Sequence, residues 1–332
     1  MKFNLKKNFS ECIGNTPIIK LKVASEISGC EIYGKCEFLN PGGSVKDRPA
    51  LQIIKDAIKK KQIEKGGTIV EGTAGNTGIG LCLVGNSIGL NSIIVMPRTQ
   101  SNEKKKMLKL CGAELKLVDA LPYKNPGNYI RYSETLAKSI VNEHGVLWAN
   151  QFDNLSNKKS HYLTTGPEIY KQLSQKVDAF ICSIGTGGTI SGVSDFLKEK
   201  NKNIVIGLAD PMGSAMHNFY KNGKLKSTGS SITEGIGQGR ITRNLENAVI
   251  DESFQITDTE ALNIVYEMVR KEGLILGGSS GVNIMGAVKL GKLIGPNKKI
   301  VTILCDYGTK YESKIFNKKF LKDKELPIPE WL

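Results

Sequence analysis

The stretch Asn40-Pro41-Gly42-Gly43-Ser44-Val45-Lys46-Asp47-Arg48-Pro49 sets one lysine where a glycine-containing loop hands over to a helix. Asn-Pro and Gly-Gly mark an irregular turn with positive φ available. Ala50 to Ile54 then reads as helix, so Lys46 projects from a fixed backbone at a helix N-terminus. The positive end of the helix dipole disfavours an ammonium there. Such a lysine is a candidate Schiff-base former; the competing reading is one more exposed surface charge. Two further loops carry chemistry. Gly185-Thr186-Gly187-Gly188-Thr189 follows a strand and opens a helix, so its backbone N–H groups and hydroxyls can surround a phosphate. A dinucleotide fingerprint would need glycine at 190, where Ile190 stands, and no GxxxxGK[ST] motif occurs. Glu71-Gly72-Thr73-Ala74-Gly75-Asn76-Thr77-Gly78 joins another strand to another helix and offers several neutral donors to a carboxylate. Simple N-capping needs only one of them. Two anion sites of different size and a lysine ask for a phosphorylated cofactor beside a carboxylate substrate.

The elements that must position these loops follow an alternating pattern. Short β-like pieces at Thr16–Leu21 and Glu31–Glu37 precede the lysine loop. Strands at Thr68–Glu71, Ser92–Met96, Glu114–Val118 and Gly145–Trp148 alternate with helices at Asn76–Leu90, Ser101–Leu110 and Asn128–Asn142. A second set has strands at Val177–Cys182, Ile204–Leu208 and Ile300–Leu304, with helices near Leu163–Leu173, Thr189–Lys200, Thr259–Lys271 and Gly281–Leu293. Strands alternating with helices of this length predict an α/β protein with two open, twisted, mostly parallel sheets flanked by helices and a cleft between them. The break near Asn150–Asn157 divides the two sets. The expected division is a larger cofactor domain from 1–47 and 151–320, a smaller mobile domain from 48–150 carrying the substrate loop, and a C-terminal tail at 321–332.

Composition narrows the class. The 332 residues suffice for two cores, and 40% apolar with 23% charged residues is ordinary for a globular protein. The net charge of +14 comes from scattered lysines with no interleaved aromatic residues, which argues against nucleic-acid binding. Seven dispersed cysteines without CxxC spacing read as reduced thiols of a cytoplasmic protein. His144, His161 and His217 form no metal-ligand spacing, and no metal site is expected. The segment Met1–Asn8 has no apolar region of signal-peptide type, and no apolar run approaches membrane-spanning length.

The motifs Gly14-Asn15-Thr16-Pro17, Pro41 to Arg48, Thr73 to Gly78 and Gly185 to Thr189, in that order, resemble the fold-type II pyridoxal-phosphate enzymes, whose fold is tryptophan synthase β-like. Within them the chain is most similar to the cysteine synthase (O-acetylserine thiol-lyase) and cystathionine β-synthase branch. The resemblance implies that Lys46 carries pyridoxal 5'-phosphate covalently and removes the substrate α-proton. It implies that Asn76 bonds the cofactor's 3'-oxygen and that Gly185, Thr186, Gly187, Gly188 and Thr189 bind its phosphate. Thr73, Ala74, Gly75, Thr77 and Gln151 would hold the amino-acid carboxylate, and Gly235, in Glu234-Gly235-Ile236-Gly237, would line the entrance. Two positions depart from the family pattern. Ala74 replaces a common serine, and Tyr307 stands where a small hydroxyl residue faces the pyridine nitrogen. A phenol, neutral at pH 7, could hydrogen-bond that nitrogen but is far bulkier, so either the ring is displaced or Tyr307 turns away. The expected activity is β-replacement of O-acetylserine by sulfide to give cysteine, with cysteine desulfhydrase or cystathionine β-synthase as alternatives. A nucleotide-binding oxidoreductase is the reading outside the class. A homodimer and docking of serine acetyltransferase are further family expectations.

Overall fold

The computed structural model describes residues 5–332, so the Met1–Asn4 part of the N-terminal reading lies outside the described residues. Ten strands form among the described residues: β1 (Ile18–Lys20), β2 (Glu31–Cys36), β3 (Thr68–Gly72), β4 (Asn91–Pro97), β5 (Glu114–Val118), β6 (Val146–Trp148), β7 (Ala179–Cys182), β8 (Val205–Pro211), β9 (Glu252–Ile256) and β10 (Lys299–Leu304). They make a six-stranded sheet ordered β1-β2-β10-β7-β8-β9 and a four-stranded sheet ordered β5-β4-β3-β6. Every pairing is parallel except β1 with β2. Parallel strands need crossovers, and the helices that supply them cover both faces, which is why β3, β7 and most of β8 and β10 are buried throughout.

The helix Asp47–Lys59 shows how sequence becomes packing. Ala50, Ile53, Ile54 and Ala57 recur at helical spacing, are almost fully buried, and pack with Ile69 of β3 and Leu81 and Val84 of the helix Asn76–Asn86. Each buried isoleucine contributes roughly 1.5–3 kcal/mol. The helix Asp258–Glu272 begins with a full capping box between Thr257 and Glu260, and Gly273 ends it in the left-handed region.

Strands and helices fall mostly where the hydrophobic runs predict them, with several additions. β9 was not expected: Glu-Ser-Phe-Gln-Ile is a short, partly polar run, and it lies at a sheet edge. Short helices at Lys22–Ser28 and Met216–Asn222 are also new. The C-terminal tail is packed onto the fold: within the helix Lys318–Asp323, Leu321 is fully buried in a cluster with Leu262, Tyr266, Tyr311 and Ile315.

Candidate active site

The lysine loop, the two anion loops and Gln151 each leave the carboxyl end of a parallel strand. The lysine loop follows β2, the Thr73–Thr77 loop follows β3, Gln151 follows β6, and the Gly185–Thr189 loop follows β7. That edge is where open α/β sheets present their ligand crevices. Here the loops face one another across a cavity of about 500 Å³ lined by residues of both sheets' loops.

Lys46 is the residue before the helix Asp47–Lys59 and lines the cleft. A buried ion network fixes its loop. Arg48, two residues on, donates Nε to Glu37 Oε2 at 2.6 Å and Nη2 to Glu37 Oε1 at 2.8 Å. It also donates to both Glu168 oxygens at 2.7 Å, and Lys35 Nζ adds a third bond to Glu168 at 2.7 Å. Burial alone would raise Glu168; Arg48 and Lys35 outweigh it and hold the carboxyl down at about 2. Thr16 Oγ1 donates to Glu37 Oε1 at 2.7 Å, and Gly14 N donates to Asn40 Oδ1 at 2.8 Å. The Gly14–Pro17 motif therefore acts as a brace for the lysine loop.

The Gly185–Thr189 loop has the form of an anion cup. Among the described residues, the N–H groups of Gly185, Thr186, Gly187 and Thr189 have no partner in the chain, and they surround the start of the helix Gly188–Lys200. Gly187 has φ +86°, and a methyl on Gly188 would strike the Asn157 side-chain amide. That amide donates to Thr186 Oγ1 at 2.8 Å and to Gln151 O at 2.9 Å. Beneath the cup lies buried His161, whose Nε2 is 3.2 Å from Thr189 Oγ1. Burial, then Arg48 and Lys46, keep this imidazole neutral. Gly185 and Thr186 line the cleft, Gly187 and Thr189 line a smaller adjoining cavity shared with Lys46, and Gly188 opens the helix beside them. Partnerless N–H donors in a glycine cradle at a helix N-terminus, with a lysine alongside, fit a phosphorylated aldehyde cofactor.

Thr73, Ala74, Gly75, Asn76 and Thr77 line the opposite wall together with Gln151. Thr77 Oγ1 donates to Gln151 Oε1 at 2.5 Å, and Gln151 Nε2 donates to Gly72 O at 3.3 Å. Behind them the carboxyl of Glu71 accepts from Gln151 N at 3.4 Å, and burial pushes it up to about 8. Gly235 lines the cleft. Next to it Glu234 accepts from Lys104 Nζ at 2.8 Å and from Lys314 Nζ, so it ties the helix Asn102–Leu110 to the chain beyond β10.

Tyr307 requires a correction. It does not line the cleft: the chain turns there into the short helical turn Gly308–Tyr311, and the Tyr307 ring lies outside against Phe38, centroids 4.8 Å apart. At 37% exposure it faces solvent rather than the cavity. A hydroxyl that does line the cleft is that of Ser279, beside Cys305, at the start of the helix Gly278–Ile294. Sequence reasoning passed over it, although Gly277-Gly278-Ser279-Ser280-Gly281 repeats the glycine-hydroxyl pattern of the other two loops. Burial pushes the Cys305 thiol up to about 11, so it is no nucleophile at neutral pH. Among the described residues no group of His, Cys, Asp and Glu could hold a metal ion.

Known proteins are similar to this chain in sequence and fold. Cysteine synthase 1 of Neurospora crassa is 47% identical over 99% of this chain and 88% of its own length. Cysteine synthase of Dictyostelium discoideum is 42% identical over 96% of this chain and 86% of its own. The crystal structure of O-acetylserine dependent cystathionine beta-synthase from Helicobacter pylori superposes with a TM-score of 0.85 at 32% identity, covering 94% of this chain and 99% of that one. Residues 9–306 match the family described as pyridoxal-phosphate dependent enzyme, and the chain belongs to that family.

Proposed function

We propose that this protein is a cysteine synthase, replacing the β-substituent of O-acetylserine with sulfide to release cysteine and acetate. The observation that carries the reading is the convergence of Lys46, the Gly185–Thr189 cup and the Thr73–Thr77 loop with Gln151 on one cleft. The identities to named cysteine synthases over nearly the whole chain support it.

Bound pyridoxal phosphate draws electrons from the α-carbon of an attached amino acid, which makes the α-proton acidic and loosens the β-substituent. The protein's tasks are to bind, orient, exclude water and move a proton. The cup holds the phosphate through Gly185, Thr186, Gly187, Gly188 and Thr189. Thr73, Thr77 and Gln151, with the backbone N–H groups at the start of the helix Asn76–Asn86, hold the substrate carboxylate. Ala74 adds no hydroxyl to that set. Asn76 would bond the cofactor's 3'-oxygen, and Ser279 would take the role expected of Tyr307. Lys46 Nζ carries the cofactor and then takes the α-proton. Glu234, held by Lys104 and Lys314, closes the mouth. We assign 48–150 to a smaller moving domain and 1–47 with 151–320 to a larger one.

The test is direct. Purified protein is expected to absorb in the visible and Lys46→Ala not to, and borohydride followed by peptide mapping is expected to label Lys46. Product analysis with O-acetylserine and sulfide, with O-acetylserine and homocysteine, and with cysteine alone then separates cysteine synthase from cystathionine synthase and desulfhydrase. Homocysteine is the second acceptor to try because the similar Helicobacter pylori protein is an O-acetylserine dependent cystathionine beta-synthase. No helix among the described residues is long and apolar enough to cross a membrane. Unpaired cysteines support a cytoplasmic assignment. The homodimer and serine acetyltransferase docking are proposals from the family resemblance, tested by light scattering and pull-down.

A further inference from the structure

Asn76 lines the cleft and opens the helix Asn76–Asn86, and its side-chain amide is gripped from behind by two charged groups outside the cleft lining. Lys310 Nζ donates to Asn76 Oδ1 at 3.1 Å, and Asn76 Nδ2 donates to Asp306 Oδ2 at 2.6 Å. The same ammonium donates to Gly42 O at 3.1 Å and to Gly43 O at 3.0 Å in the lysine loop. Its three N–H groups thus meet three acceptors. Asp306 is fully buried and also accepts from the Tyr311 hydroxyl at 2.8 Å.

We propose that Lys310, with Asp306 as its counterpart, is a positioning residue that locks the Asn76 amide in one orientation and ties it to the lysine loop. An ammonium only donates and a carboxylate only accepts. Turning the amide over would set Nδ2 against Lys310 and Oδ1 against Asp306, donor on donor and acceptor on acceptor. The allowed orientation engages the carbonyl and one amide hydrogen, and it leaves the second N–H as the donor available for the ring oxygen of the cofactor. Because Lys310 also holds Gly42 and Gly43, the attachment point at Lys46 and the donor at Asn76 are set by one side chain reaching across from the segment after β10. This inference rests on the cofactor reading.

The experiment uses holoenzyme. Lys310→Met keeps the stem and removes all three donors. It is expected to retain cofactor with its visible band displaced, and to lower kcat about 10-fold with KM for the amino acid within about twofold. Asn76→Ala is expected to behave alike, and the double variant to be no worse than the poorer single one, because both remove the same contact. Lys310→Arg, which keeps the charge and the donors, is expected to restore the band. If Lys310→Met does not fold, Lys310→Gln takes its place, with two N–H groups against three acceptors. A wild-type band in either folded Lys310 variant, or losses that multiply in the double variant with Asn76→Ala, overturns the inference. Absence of any visible band in the wild-type protein would overturn the cofactor reading instead, so the two failures are distinguishable.

Discussion

Arg48→Met is the perturbation whose size the structure defines best. Arg48 and Glu37 are both essentially buried, and the guanidinium supplies two of the bonds that Glu37 receives, at 2.6 and 2.8 Å. Without it Glu37 keeps only Thr16 at 2.7 Å and Asn40 at 2.8 Å, both neutral donors. Glu168 fares better, since Lys35 remains bound to it at 2.7 Å. The loss is therefore one uncompensated buried carboxylate, at about 3–5 kcal/mol. For a chain of this length, roughly 2 °C per kcal/mol gives a melting temperature lower by roughly 6–10 °C. The assay is thermal unfolding of holoenzyme in a fixed excess of pyridoxal phosphate, because bound cofactor itself stabilises. The double variant Arg48→Met/Glu37→Gln removes the stranded charge and should recover at least about 1 kcal/mol. A single-variant loss below about 1 kcal/mol, or a double variant no more stable than the single, would refute the argument that Arg48 neutralises the brace beneath Lys46.

Three other outcomes follow from the site. Glu71 has a folded-state pKa of about 8 against an ordinary 4.5, because of burial. The unfolded chain therefore ionises first, and Glu71 costs stability increasingly as pH rises from about 4.5 to about 8. Glu71→Gln should raise the free energy of unfolding more at pH 9 than at pH 5, by on the order of 1 kcal/mol or more, and equal differences at the two pH values would contradict this. Gly188→Ala sets a methyl against the Asn157 amide, and equilibrium dialysis should show cofactor affinity reduced at least about 10-fold. Thr77→Val removes the hydroxyl bonded to Gln151. It should raise KM for the amino acid about 10-fold while the visible band stays in place, and loss of the band would move Thr77 to the cofactor side.

Most of the fold was legible because parallel strands buried on both faces leave continuous apolar runs, as at Ile300–Leu304. β9 was not, since its partner β8 rather than its own sequence makes Glu252–Ile256 a strand. The chemistry was legible wherever glycine and hydroxyl residues cluster between a strand and a helix. The braces were not: Arg48 meets Glu168 120 residues away, and Lys310 meets Asn76 234 residues away, pairings that no local pattern encodes. Tyr307 was misplaced for a related reason. Its side-chain direction is decided by the turn that follows β10, and position alone cannot distinguish a residue facing the cavity from its outward-facing neighbour.

The placement of β10 governs how the chain can be made. It lies between β2 and β7, and its register with β2 pairs Lys299 with Glu31. The four-stranded sheet is complete within residues 68–148, so it can assemble while the rest is still emerging from the ribosome. Its companion must wait: one edge of β2 stays without a partner until almost the entire polypeptide has been translated. During that interval a chaperone that shields Glu31–Cys36 would suppress mispairing between nascent copies.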